Sequence, residues 1–113
     1  MNNFNIFVKM PKTKQEIIDE IKVHIESEKG PFNTWYIGIT NDANRRLFEE
    51  NEHNVSKENG WWIYRSSGTK EIAQDIEKYF LELGLKGGTG GGTEDSIIVY
   101  AYKITEDTKQ QIQ

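Results

Sequence analysis

Between Thr69 and Gly84 the residues Ile72, Ile76, Tyr79, Phe80 and Leu83 recur every three or four positions, while Glu71, Asp75 and Glu82 fall outside that stripe. The period belongs to a helix with one apolar side, ended by Gly84, since glycine tolerates the left-handed geometry that closes a helix. An apolar side must be covered. The chain offers three short β-branched or aromatic runs to cover it, at residues 34–40 (Thr34-Trp35-Tyr36-Ile37-Gly38-Ile39-Thr40), 61–65 and 97–102, so helices laid on a small sheet are the architecture to expect.

A second helix is predicted over about residues 14–28. Thr13 can cap it, Glu16 completes a capping box, and Ile17, Ile18, Ile21 and Ile25 follow at helical spacing until Gly30-Pro31 stops the run. A third, short helix follows Asn41 or Asp42 and extends to about Asn51. Before the first helix, Phe4, Ile6 and Val8 alternate as in a short strand. The reading is one α/β domain, more narrowly α+β, with a mostly antiparallel sheet of about 3–4 strands and about three helices. Residues 1–12 are an N-terminal arm or edge strand, 34–104 the core, 51–60 a polar surface loop, and 105–113 a fraying tail.

The size agrees, because 113 residues give room for one core. With no cysteine, neither a disulfide framework nor a thiolate metal site holds the fold, which suits a reducing compartment. No apolar run is long enough to span a bilayer, and the first residues lack a secretion pattern, so the expected location is cytoplasmic. The net charge of −4 weighs against a general DNA binder, whose affinity comes from cations on phosphates. It leaves room for a local basic site built from Arg45, Arg46, Lys57 and Arg65.

The richest segment is residues 36–46. Tyr36-Ile37-Gly38 lies in the run 34–40, a capped helix follows, and Arg46 comes ten residues after Tyr36. At about 100° per residue Arg46 shares a side with Ala43 and Leu47 and can reach over the sheet, while Arg45 turns outward. On the later helix, Ala73 and Leu81 bracket Glu77 one turn away on each side, so its carboxyl sits on the flank of the apolar stripe, partly desolvated.

Over residues 35–83 these features resemble the GIY-YIG nucleases: a Tyr-x-Gly half-motif, an arginine ten residues on, and a glutamate on a later helix. The resemblance covers the second half-motif and the helices after it. The first half-motif is absent, since Val23-His24-Ile25-Glu26 of the first helix stands where Gly-Ile-Tyr would precede. Where the family often has a histidine about a turn after the arginine, Glu50 stands, with His53 near enough to substitute, and the late asparagine is replaced by the glycine run. The resemblance implies a GIY-YIG-like fold and phosphodiester cleavage with Mg²⁺ or Mn²⁺. Arg46 would stabilise charge, Glu77 bind the metal and Tyr36 orient water.

Other features admit two readings each. The glycine run, with Gly88, Gly90 and Gly91, offers backbone N–H groups to a phosphate or is a flexible connector, and it matches no phosphate-loop spacing. Trp35, Trp61, Trp62 and Tyr64 can stack bases or fill the core, with Trp62 and Tyr64 on one strand face and Trp61 and Ile63 on the other. Arg65 is a candidate phosphate contact. His24 and His53 are too isolated to suggest a metal site.

Three functions therefore stand open. The first is a divergent nuclease-like domain with a degenerate active site, acting on nucleic acid through Tyr36, Arg46 and Glu77. The second is a non-catalytic module that holds a nucleotide or small phosphorylated ligand through Gly38, Arg46, Arg65, Trp62 and the glycine run. The third is an acidic inhibitor of a host nucleic-acid or defence protein, by compositional analogy with short phage and mobile-element chains. A homodimer is compatible with each, and none calls for a membrane.

Overall fold

The computed structural model describes residues 12–88 and 92–111. The strand expected over residues 4–8 lies outside them. Helix α1, Lys14–Glu28, opens with the expected box: Glu16 N–H donates to Thr13 Oγ1 (3.1 Å) and Thr13 N–H to Glu16 Oε1 (2.8 Å). Because two end groups of the helix are satisfied at once, Thr13→Ala is expected to cost about 1 kcal/mol, read as a lower urea midpoint with an unchanged slope. At the other end Lys29, not Gly30, takes the left-handed position (φ 71°). Gly30 serves close approach instead: a Cβ there would lie 2.6 Å from Lys103 Nζ, whose ion pair with Glu28 (3.0 Å) ties α1 to the last strand.

A 3₁₀ turn, Phe32–Thr34, leads into β1, Trp35–Thr40. Helix α2, Ala43–Phe48, is capped by Asp42, which accepts from Arg45 N–H (3.1 Å), and it stops short of the expected Asn51 because Glu49 is already extended. Strand β2, Trp62–Ser66, precedes α3, Lys70–Leu83, which Thr69 caps and Gly84 closes at φ 112°. Strand β3 is Ile98–Lys103.

The sheet is three-stranded and antiparallel in the order β1-β3-β2. The last strand takes the centre. Its Val99, Tyr100, Ala101 and Tyr102 are all buried, and only a central strand with both faces covered removes such a run from water. Alternation then sorts the side chains. Trp35, Ile37, Ile63, Val99 and Ala101 face a core with Ile17, Ile21, Ile25, Ile76 and Phe80 of α1 and α3. On the other face Tyr100 and Tyr102 pack with Ala43 and Leu47 of α2, with Val55, and with the partly buried Tyr36, Trp62 and Tyr64.

Two segments expected to be loose are tied together. In the 51–60 loop Glu52, His53 and Val55 are buried, and the backbone N–H groups of His53 and Val55 donate to Arg46 and Leu47 carbonyls (3.1 and 2.7 Å). Residues 105–110, read as a fraying tail, fold onto that loop: Lys109 N–H donates to the His53 carbonyl (2.9 Å), Lys109 Nζ to the Glu50 carbonyl (2.7 Å), and Asn54 Nδ2 to the Asp107 carbonyl (3.1 Å). These are long-range bonds between polar stretches, which hydrophobic periodicity does not register. No described helix is long and apolar enough to cross a membrane.

Candidate active site

Tyr36 of β1, Arg46 of α2 and Glu77 of α3 line one cleft of about 230 Å³, together with His53, Tyr100, Gly38, Ile39, Gly88, Gly92 and Gln110. Each comes from a different element, so the cleft is a product of the fold. Tyr36 stands on the α2 side of β1. Glu77 comes from the helix that packs on the other side, as the one buried acid among Ala73, Ile76 and Phe80. Arg46 projects from α2 beside Leu47, as helical geometry requires.

Arg46 has a paired and an unpaired side. Its Nη1 lies 3.2 Å from Glu52 Oε1, and Arg45 Nη1 bonds the other oxygen of the same carboxylate. The Arg46 contact is an ion pair without hydrogen-bond alignment: both Arg46 Nε and Glu52 Oε1 are buried without a hydrogen-bond partner among the described residues. A buried guanidinium N–H without an acceptor is costly. Arg45, read as solvated, is in fact held by the same glutamate.

His53 organises the phenols. Its Nδ1 lies 2.6 Å from the Lys109 carbonyl, which can only accept, so Nδ1 carries the proton. Nε2 is then an acceptor, and the Tyr100 hydroxyl donates to it at 2.6 Å. Burial pushes the imidazole down to about 4, with the Lys109 carbonyl opposing and Arg46 adding to the fall, so the ring is neutral at physiological pH. Tyr102 Oη, 3.0 Å from Nδ1, donates to Gln110 Oε1 (3.0 Å). Tyr36 stacks on Tyr102 (centroids 5.2 Å apart) and leans on His53 (4.8 Å). Burial raises its hydroxyl above the ordinary phenol value; a Gly88 backbone bond opposes this, Glu77 adds to the rise and Arg46 offsets it. Burial also raises Tyr100 and Tyr102, so all three phenols are neutral.

Glu77 is 8 % exposed, and burial pushes its carboxyl up to about 7. The acid is therefore poised between its two forms at neutral pH. Among the described residues no group of three or more His, Asp or Glu side chains is placed to hold a metal. A lone carboxylate at an open cleft still suits Mg²⁺ or Mn²⁺, which keep most of their waters and take further oxygens from a phosphate.

Gly38 faces Tyr100 across the ladder, and a Cβ there would sit 2.5 Å from Tyr100 Cζ. The glycine admits the ring that reaches His53, a packing reason for a residue first read as a ligand contact. Gly38→Ala is expected to push the Tyr100 ring away from His53 and destabilise the fold by about 1–3 kcal/mol. Tyr100→Phe, which keeps the ring and loses the bond, should cost about 1 kcal/mol, and urea midpoints rank the two variants.

The remaining sequence candidates divide. Gly88 lines the cleft, whereas Gly90 and Gly91 lie outside the described residues. Arg65 is removed from the site: period two turns it to the α1 side of β2, where Nε donates to Glu20 Oε1 (2.6 Å). Trp62 shares the sheet face of Tyr100 but packs against Phe48 and Tyr64, and its Nε1–H donates to the Lys57 carbonyl (3.1 Å). It does not line the cleft. Trp35 is fully buried core.

Tyr100 and Gln110 were not legible as site residues. Tyr100 reaches the cleft only through the β1–β3 pairing, and Gln110 only through the docked tail. Comparisons with protein-family models, with curated proteins and with solved structures found no match. The cleft has to be read from its own residues.

Proposed function

We propose that the chain is a divergent, GIY-YIG-like phosphodiester-cleaving domain that uses a divalent cation. The observation that carries this reading is the meeting of Tyr36, Arg46 and Glu77 in one cleft, from elements separated in sequence. Arg46 supplies positive charge where a crowded phosphate gains negative charge. Glu77 holds the cation, which when bound supplies Lewis-acid polarisation of the phosphate oxygen. The Tyr36 hydroxyl orients the attacking water. Tyr100 stands next to it with a neutral imidazole behind, giving a proton leaving the water a hydrogen-bonded path toward His53 Nε2.

The test is incubation with supercoiled plasmid and Mg²⁺ or Mn²⁺, beside Arg46→Ala. Absence of metal-dependent nicking, or nicking indifferent to that change, would remove the reading. One observation favours a second reading, in which the cleft binds a nucleotide or other small phosphorylated ligand without cleaving it. The net charge is −4 and the cleft's one arginine is already shared with Glu52, which suits a single phosphate better than the charge array of a duplex. A nucleotide at ~100 times its Kd would then stabilise the protein by about 2.7 kcal/mol in a thermal-shift assay, and no shift across a nucleotide panel would dismiss this reading.

A further inference from the structure

The segment 105–110 brings one more polar group to the cleft. Tyr102 Oη donates to Gln110 Oε1 (3.0 Å), and Thr108 Oγ1, which accepts from Thr105 N–H (3.0 Å), donates its own hydrogen to the same oxygen (2.7 Å). An amide oxygen accepts two such bonds, and both are made. Among the described residues Gln110 lines the cleft, and Tyr102 and Thr108 do not. The oxygen end of the amide is thus anchored away from the cleft, and Nε2, with two N–H donors, is the end left to face it.

Backbone bonds fix this amide relative to Arg46. His53 N–H donates to the Arg46 carbonyl (3.1 Å), Lys109 N–H donates to the His53 carbonyl (2.9 Å), and Gln110 is the next residue. Two further bonds hold the same segment, from Lys109 Nζ to the Glu50 carbonyl (2.7 Å) and from Asn54 Nδ2 to the Asp107 carbonyl (3.1 Å). The helix that carries the guanidinium and the segment that carries the amide therefore move as one. A donor held in this way needs no rearrangement when negative charge arrives.

We infer that Gln110 is a second phosphate-binding residue of the cleft, its Nε2 donating to one non-bridging oxygen while Arg46 meets another. The inference rests on the reading of the cleft as a phosphate site and adds to it a second donor. Arg46 shares the Glu52 carboxylate with Arg45, so its charge is already partly balanced. A neutral amide supplies directed N–H groups without the cost of desolvating another charge. The ligand class is a phosphate group with two non-bridging oxygens, which phosphodiesters, nucleotides and inorganic phosphate share.

Inorganic phosphate, titrated into the full chain without metal and followed by the melting temperature, is the probe. Gln110→Glu keeps an acceptor for Tyr102 and Thr108 and has no N–H to give, whereas Gln110→Met removes the donor without adding charge. Both should weaken phosphate affinity by about 10- to 100-fold, the range for one hydrogen bond to a charged group. Without phosphate, Gln110→Glu should melt with the parent. Arg46→Ala, run beside them, separates this inference from the reading beneath it: affinity lost in that variant and kept in both Gln110 variants would overturn the role of Gln110 and leave Arg46 in place. Loss in Gln110→Glu alone would be charge repulsion and would overturn it too. A Gln110→Glu protein that melts well below the parent without phosphate would show that the amide is not held through its oxygen, with the same consequence. A parent that binds no phosphate would remove both donors' roles at once.

Discussion

Arg46→Ala is expected to lower metal-dependent cleavage by about 100- to 1000-fold, the range found when one preorganised donor to a developing oxyanion is removed. The guanidinium is the positive charge that lines the cleft. Arg46→Lys keeps a charge and loses the planar fork, so it should recover part of the rate and no more. Glu77→Gln removes the carboxylate proposed to hold the cation and should abolish metal-dependent cleavage. Because Arg45 keeps Glu52 paired in the Arg46 variants, thermal melts should show them folded. An Arg46→Ala protein that nicks plasmid at the parent rate would end the catalytic assignment.

The second large effect is a pH dependence of stability that belongs to Glu77. Its carboxyl titrates near 7 in the fold against an ordinary 4.5. Between those values the folded chain holds a proton that the unfolded chain has released, so stability falls as pH rises through about 4.5 to 7. The loss approaches about 3 kcal/mol above the upper value. His53 works in the other direction: held near 4 against an ordinary 6.5, it withdraws stability as pH falls from 6.5 toward 4. The two trends oppose each other between about pH 4.5 and 6.5, giving the parent protein a flatter profile than either group alone.

Glu77→Gln should lift the alkaline loss and uncover the His53 slope. Urea midpoints at pH 5, 6, 7 and 8 would show the variant gaining on the parent as pH rises, and parallel profiles would refute the titration. A bound cation favours the ionised carboxylate, so Mn²⁺ should raise the melting temperature of the parent at pH 7.5 and leave Glu77→Gln unmoved. That readout needs no turnover and tests the metal reading separately from activity.

The local elements were legible because their causes are local. Thr13 and Glu16 cap α1, Gly84 closes α3, and alternation assigns the faces of the strands, all from neighbours a few positions away. Arg46 and Glu77 were found the same way, since helical geometry states which side a residue takes relative to Leu47 or Ala73. Arg65 lies away from the cleft for a reason of the same kind. Its residue type suited a phosphate, but its parity on β2 sends it to the face opposite Tyr100, and only the β2–β3 register says which face carries the cleft.

What the chain's own order determined is the set of helices and strands, their caps and their apolar sides, since those follow from backbone sterics and a period of 3.6 or 2. Only the tertiary structure decided that β3 enters between β1 and β2, bringing Tyr100 beside Gly38, and that residues 105–110 fold back to fix the tautomer of His53. Such pairings join residues 47 to 62 positions apart. They are selected by burial of the whole sheet and by hydrogen bonds between distant polar segments, and neither leaves a periodic trace in the sequence.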